Sequence, residues 1–244
     1  MKRLFFCILC FVVTKGFTQI RIGVEGGANV TNLWQTDAFT GLGTGLSTSP
    51  LGSWHAGVFG ELDLRHNWYL QAHLQYFGVR SRLRNSQGFP PEGNYITNYS
   101  DTHLSIYYAR LPVNFVYKIK TGTPLTGLLG AGVYYSQALS GKETGFSYGH
   151  ENTAGSPETP RPVNNTAVIS DGISSSSTGL TRIGPIDVGG SLLVGLEWKK
   201  FELTCNYSRG FSRVYRAVYA NTGNTFFNFT LSYFLFGHER KPDL

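Results

Sequence analysis

Cysteine, methionine, charge and long apolar runs are all scarce in this chain, and each scarcity removes a class of protein. Met1 is the single methionine, and the three cysteines are Cys7, Cys10 and Cys205. Charged residues make up only 15% of the chain. Past the amino terminus no segment approaches the run of about 20 apolar residues that a membrane-crossing helix needs, which excludes a multi-span helical protein. The mean hydropathy of −0.13 agrees. What the chain does have is 30 Gly, 17 Phe, 14 Tyr and 4 Trp. That is too much apolar surface for a disordered chain, and Gly with aromatics at low charge points to an all-β protein.

The first residues read as a secretory signal peptide over 1–18. Met1-Lys2-Arg3 is basic, Leu4 to Val13 is an apolar stretch too short to cross a bilayer, and Gly16 and Thr18 are small residues before a cleavage site. A lipoprotein reading of Cys10 fails on the bulky Leu9 before it. Cleavage would remove Lys2, Arg3 and Lys15, so Lys plus Arg falls from 21 to 18 against 15 acids and the net charge from +6 to +3. No basic helix or stripe supports a nucleic-acid partner. Cleavage would also leave Cys205 alone, so no intramolecular disulfide framework is expected.

A period of two repeats through the remaining sequence. Trp68, Leu70, Ala72, Leu74 and Tyr76 alternate with Tyr69, Gln71, His73 and Gln75, and Phe201, Leu203, Cys205 and Tyr207 alternate with Glu202, Thr204, Asn206 and Ser208. The segments 186–198 and 227–235 behave alike, 20–30 and 54–64 follow more loosely, and 124–137 has a Gly-rich polar face. In 103–118 the apolar phase slips at Arg110-Leu111-Pro112, which suggests a β-bulge.

The gaps between these eight segments alternate in length. Those at 31–53, 83–102, 138–181 and 212–224 are long, and those at 65–67, 119–123 and 199–200 are short. An up-and-down barrel puts all long connections on one rim and all short turns on the other, the asymmetry of outer-membrane barrels with extracellular loops and periplasmic turns. The fold expected is therefore an all-β, eight-stranded antiparallel transmembrane barrel over 19–237, with a lumen filled by side chains and a periplasmic tail at 238–244. Two aromatic belts are expected on the lipid face: Trp68, Tyr117, Trp198 and Phe201 near the short turns, and Trp54, Tyr76, Tyr135, Tyr207 and Phe227 near the other ends. Arg65, Lys118, Lys120, Lys199 and Lys200 are expected at the short turns. A secreted lipocalin-like barrel shares the strand count and alternation but turns its apolar face inward. The polar face here is mainly Gly, Ser, Thr, Asn and Gln with few Lys, which suits a filled lumen better than a solvated exterior.

Several patches in order along the chain carry a resemblance. Ile22-Gly23-Val24-Glu25-Gly26-Gly27-Ala28-Asn29, Leu111-Pro112-Val113, Gly130-Ala131-Gly132-Val133-Tyr134, Tyr207-Ser208-Arg209-Gly210-Phe211 and a closing aromatic strand resemble the PorT-like outer membrane β-barrel family. The resemblance implies an eight-stranded barrel in the outer membrane of a Gram-negative lineage. The founding member of that family is linked to type IX protein export, a role that the resemblance does not by itself transfer.

Chemistry-bearing motifs are few. His55, His66, His73, His103, His150 and His238 have no metal-ligand spacing, and Gly41-Leu42-Gly43-Thr44-Gly45 lacks the following helix of a phosphate loop, so neither metal nor cofactor is expected. Arg21, Glu25, Glu61, Asp63, His73, Asp187, Glu197 and Glu202 fall on the polar face and are expected to form an ion-paired lumen network, since buried charges need partners. A lipid-modifying enzyme built on His73 is the catalytic alternative, but no nucleophile motif supports it. A narrow conduit is the other alternative.

The reading is a non-enzymatic outer-membrane barrel in contact with outer-membrane lipids, inserted by the barrel-assembly machinery. It would present its long loops, with Phe146 and Tyr148 as candidate anchors, to a protein partner and could assist protein export to the cell surface. Deleting 225–236 should abolish insertion, whereas deleting 238–244 should not; heat-modifiable gel mobility of membrane fractions checks both.

Overall fold

The computed structural model describes residues 20–35, 45–89, 96–150, 159–170, 181–217 and 220–237. The expected signal peptide at 1–18 and the tail at 238–244 lie outside the described residues. Eight long strands dominate: β1 (Ile20–Gln35), β2 (Gly45–Arg65), β3 (Trp68–Phe89), β4 (Ile96–Lys120), β5 (Leu125–His150), β9 (Ile186–Trp198), β10 (Phe201–Gly210) and β12 (Ala220–Phe236). Four short ones, β6 (Thr159–Thr166), β7 (Val168–Ile169), β8 (Arg182–Ile183) and β11 (Tyr215–Ala217), lie in the two longest connections after β5. The long strands pair in the order β1-β2-β3-β4-β5-β9-β10-β12, all antiparallel, and β12 pairs back onto β1. Closure leaves the ring without an open edge, as a lipid-embedded sheet requires.

Alternation is visible residue by residue. In β10, Phe201 and Leu203 are exposed while Glu202, Thr204, Asn206 and Ser208 are buried. In β9, Leu192, Val194, Leu196 and Trp198 face out and Asp187, Ser191 and Glu197 face in. Val24, Val58, Leu74, Phe115, Leu129, Phe229 and Leu231 continue this apolar exterior around the ring. A soluble protein does not expose a girdle of that kind, so the lipocalin-like alternative, with apolar residues turned inward, is set aside.

The strands run well beyond the ends that the sequence pattern suggests. The segments 31–53, 83–102, 138–181 and 212–224 were expected as loops, yet β1 reaches Gln35, β2 begins at Gly45, β3 and β4 pair up to Phe89 and Ile96, and β5 reaches His150. The reason is a change of sign in the alternation. Beyond Phe77 on β3, Val79 and Leu83 point inward while Arg80, Arg82 and Arg84 point outward, so the inside becomes apolar and the outside polar. A tilted strand crosses a bilayer in about 9–11 residues. With 22, 25 and 26 residues, β3, β4 and β5 continue as a walled cylinder above it.

The same inversion corrects the bulge expected at Arg110-Leu111-Pro112. On β4 every even-numbered residue from Thr102 to Lys118 is buried, through Arg110 and Pro112, without a slip. Pairing to β3 is interrupted opposite Pro112, which has no N–H to donate, but Ala72↔Val113 and Gln75↔Arg110 keep one register across the gap. The actual register shift lies between Tyr107 and Tyr108, where Leu139 of β5 is the extra residue.

Inward glycines make room for the lumen contents. A Cβ on Gly132 would come within 2.3 Å of both Val113 O and Asn114 Oδ1. At the short-turn rim, His66 and Asn67 link Arg65 to Trp68 with φ of 53° and 66°, the left-handed pair of a type I′ hairpin. A β-carbon in that region costs about 1–2 kcal/mol per residue. His66→Gly is therefore expected to stabilise the barrel by about 1 kcal/mol after the entropy cost of glycine. Reversible urea unfolding in detergent micelles measures it.

Candidate functional site

The lumen is packed in three tiers. At the short-turn end, Arg21 of β1 meets two carboxylates: its Nη2 lies 2.5 Å from Glu61 Oε1 and its Nη1 2.6 Å from Glu197 Oε1. Lys118 Nζ donates to the same two carboxylates, 2.9 Å from Glu61 and 2.5 Å from Glu197. Gln71 Nε2 bridges Glu61 and Glu202 at 2.9 Å each, and Phe234 and Tyr69 present ring faces to Arg21 and Lys118 at 3.7 and 4.2 Å. All six polar members are buried. In that setting each charge is tolerable only because its partners are in contact. The carboxylates of Glu61, Glu197 and Glu202 approach within 4.8 Å, a spacing a metal ion could use. Lys118 and Arg21 already neutralise Glu61 and Glu197 there.

The middle tier gathers imidazole, amide and hydroxyl groups around the Glu25 carboxylate. His73 Nδ1 donates to Glu25 Oε2 at 2.9 Å, and Gln75 Nε2 to Glu25 Oε1 at 2.8 Å. His55 Nδ1 donates to Asn29 at 2.6 Å, which leaves Nε2 to accept from Thr230 at 3.1 Å. Ser191 donates to Asn114 at 3.0 Å. A cavity of about 10 Å³ remains among His73, Arg110, Asn114, Asn206 and Thr230, room for a single water.

Arg110 separates this tier from the top one. Its guanidinium carbon lies 4.6, 4.3 and 4.7 Å from the ring centres of Phe77, Tyr134 and Phe226, and Nη2 donates to Ser208 at 3.0 Å. Tyr134 and Asn224 both donate to Asp187, at 3.1 and 2.8 Å. Above them an apolar core of Leu33, Val79, Leu83, Leu104, Ile106 and Tyr108 fills the cylinder, with Ala167, Ile183 and Val214 from the connections packed on top. Glu143 accepts from Thr102 at 2.7 Å and from Thr181, tying the connection before β8 to the wall.

Seven of the eight residues expected in the network line the lumen. Arg21, Glu61 and Glu197 are in direct contact, Glu202 joins through Gln71, Glu25 and His73 pair one tier higher, and Asp187 sits in the upper tier. Asp63 does not join them. It is only half-buried and accepts the backbone N–H of Arg65 at 2.8 Å, because the bulge between Asp63 and Arg65 turns the strand end into the hairpin. Lys118 was expected on the turn rim and is fully buried instead, and Arg110 was passed over as part of a bulge. Strict parity along β4 would have found both, since they share it with Asn114 and Val116.

No hydroxyl completes a catalytic arrangement among the described residues. His73 Nε2 has no hydrogen-bond partner there, and the pair with Glu25 lies inside the wall, away from the lipid. Outside, the nine expected belt aromatics all face away from the lumen, exposed or half-buried. Trp68 packs on Tyr117 at 4.9 Å, Trp54 on Tyr76 at 5.6 Å, and Tyr207 on Phe227 at 4.9 Å.

The outer membrane protein beta-barrel domain matches residues 15–216 of the chain. The chain belongs to that family. Several solved structures align with this outer-membrane barrel. OprG from Pseudomonas aeruginosa aligns with TM-score 0.46 and 10% identity over 91% of this chain and 97% of that one. Neisserial surface protein A aligns with TM-score 0.36 and 10% identity over 87% and 96%. Ail, the attachment invasion locus protein of Yersinia pestis, aligns with TM-score 0.33 and 10% identity over 88% and 99%. No curated protein matches the sequence.

For this outer-membrane barrel, Lys118→Ala should leave Glu61 and Glu197 short of a cation and cost about 3–5 kcal/mol. Lys120→Ala, on the exposed rim two residues away, should cost under about 0.5 kcal/mol. Urea midpoints of the two variants make the comparison.

Proposed function

We propose that the protein is a sealed, non-enzymatic barrel that holds a β-structured platform above the outer leaflet for an extracellular partner. The observation that carries this reading is the combination of a plugged lumen with walls that continue past the membrane. A conduit needs a water-filled path, and among the described residues three tiers of ion pairs, hydroxyls and apolar side chains fill the lumen around a cavity of about 10 Å³. A lipid-modifying enzyme needs its catalytic groups at the lipid boundary, and the Glu25–His73 pair faces inward without a nucleophile bound to it.

The platform has its own features. The β5–β6 hairpin sets Phe146 opposite Pro162 and Tyr148 opposite Pro160, and Phe146 is half exposed, a suitable anchor for a protein partner. Pro160 and Pro162 also remove backbone donors from the outermost strand, which blunts strand-to-strand aggregation. In this reading the outward aromatics form the two interfacial belts, 1–18 is the signal peptide, and the barrel-assembly machinery inserts the protein. A platform of this kind could also assist protein export to the cell surface.

Two measurements test the proposal. Purified protein in planar bilayers should show no discrete conductance steps, and stable steps would favour the conduit. Proximity labelling from the β5–β6 hairpin in intact cells should enrich export components or other surface proteins; altered lipids on deletion of the protein, without such partners, would favour the enzyme.

A further inference from the structure

Where the wall of the barrel leaves its apolar girdle, three neighbouring strands set nine outward residues in register. Arg80, Ser105 and Lys142 form one cross-strand row, Arg82, His103 and Thr144 the next, and Arg84, Asp101 and Phe146 the third. Rows are about 7 Å apart along the strands, and neighbours within a row about 5 Å apart. The grid carries four cations and a single acid.

Its position is set by the aromatics beneath it. On β3 the outward face is apolar from Trp68 to Tyr76, the length of one bilayer crossing. Tyr107 stacks on Tyr76 with ring centres 5.3 Å apart and lies against Gly78, so the next outward side chain is Arg80. The first row therefore sits at headgroup height on the long-strand side, which is the outer leaflet. The second and third rows are partly self-neutralised. Arg82 forms a two-point pair with Asp101 at 2.7 and 2.5 Å, and Arg84 reaches the same carboxylate at 3.5 Å. These guanidinium groups hold the Asp101 carboxyl below its ordinary pKa, so it stays ionised. The first row has no acid. Among the described residues the Arg80 guanidinium makes one long hydrogen bond, 3.4 Å to the Gly52 carbonyl, and Lys142 makes no ion pair.

We propose that Arg80, Ser105 and Lys142 form a docking row for the phosphate of a glycolipid in the outer leaflet. A phosphate centred over the Ser105 hydroxyl would take a hydrogen bond from it and charge-assisted bonds from the cations on either side, while the acyl chains run down over Tyr107, Tyr76 and Leu74. The inference rests on the outward orientation of the long-strand end in the proposed function. It gives one class of outer-membrane lipid a defined phosphate contact and leaves the β5–β6 anchor for a protein.

The test titrates bisphosphorylated lipid A into the full-length barrel in detergent and reads complexes by native mass spectrometry. Arg80→Gln/Lys142→Gln, which spares the Arg82–Asp101 pair, should weaken binding about 30-fold. Removing the phosphates from lipid A should weaken wild-type binding by a similar factor. Millimolar inorganic phosphate should not displace the lipid; if it does, the assignment to a lipid source is overturned. Equal affinity of wild type and the double variant, or indifference to the phosphates, overturns the site. Should the double variant fail to fold, Ser105→Asp puts an opposing charge in the same row and must weaken binding as well. Labelling of Asn164→Cys by an impermeant thiol reagent on intact cells separates the two levels. No labelling would overturn the orientation, whereas labelling without phosphate-dependent binding overturns the docking row alone.

Discussion

A ring of eight strands has an interior only as wide as the side chains that fill it, and that interior has no bulk water. The inward charges nearest the short turns therefore meet their partners on other strands of the ring. Arg21 and Lys118 come from β1 and β4, Glu61 and Glu197 from β2 and β9, and Gln71 from β3 brings in Glu202 of β10. Six of the eight walls are thus joined across the lumen by one network. Hydrogen bonding within the sheet closes the ring, and this network fixes what the ring can contain.

The upper half of the barrel obeys the same constraint with different chemistry. Outside the bilayer the exterior is wet, so the strands can turn polar residues outward and apolar ones inward, as in a soluble β-barrel. Arg110 stands at the junction, its charge held against three aromatic rings below the apolar core. One protein thus combines a membrane barrel, polar inside, with an extramembrane barrel, apolar inside, on continuous strands. The filled lumen and the projecting wall are the two features on which the proposed platform rests.

Legibility in the sequence followed the physics of each region. Segments such as 68–76 and 201–208 alternate in one sense because lipid lies on one side and the filled lumen on the other, and their strands were readable. The extensions of β3, β4 and β5 alternate in the opposite sense, so the pattern seemed to stop where only its sign changed. Lys118, near a strand end, reads as a rim residue, and Arg110 beside Pro112 reads as part of a bulge, unless parity is carried through Pro112. Asp63 failed differently, since a bulge at Asp63/Arg65 is a turn property that periodicity does not contain.

The sequence by itself determined the strand count, the up-and-down order, the apolar exterior and seven of the eight expected lumen residues, because a period of two assigns each side chain to a face. Only the tertiary structure decided which inward residues meet. Partners such as Arg21 and Glu197 are 176 positions apart and come together through closure of the ring. It alone also brought Arg80, Ser105 and Lys142 into one row, because register between neighbouring strands is set by their pairing and is invisible within any one of them.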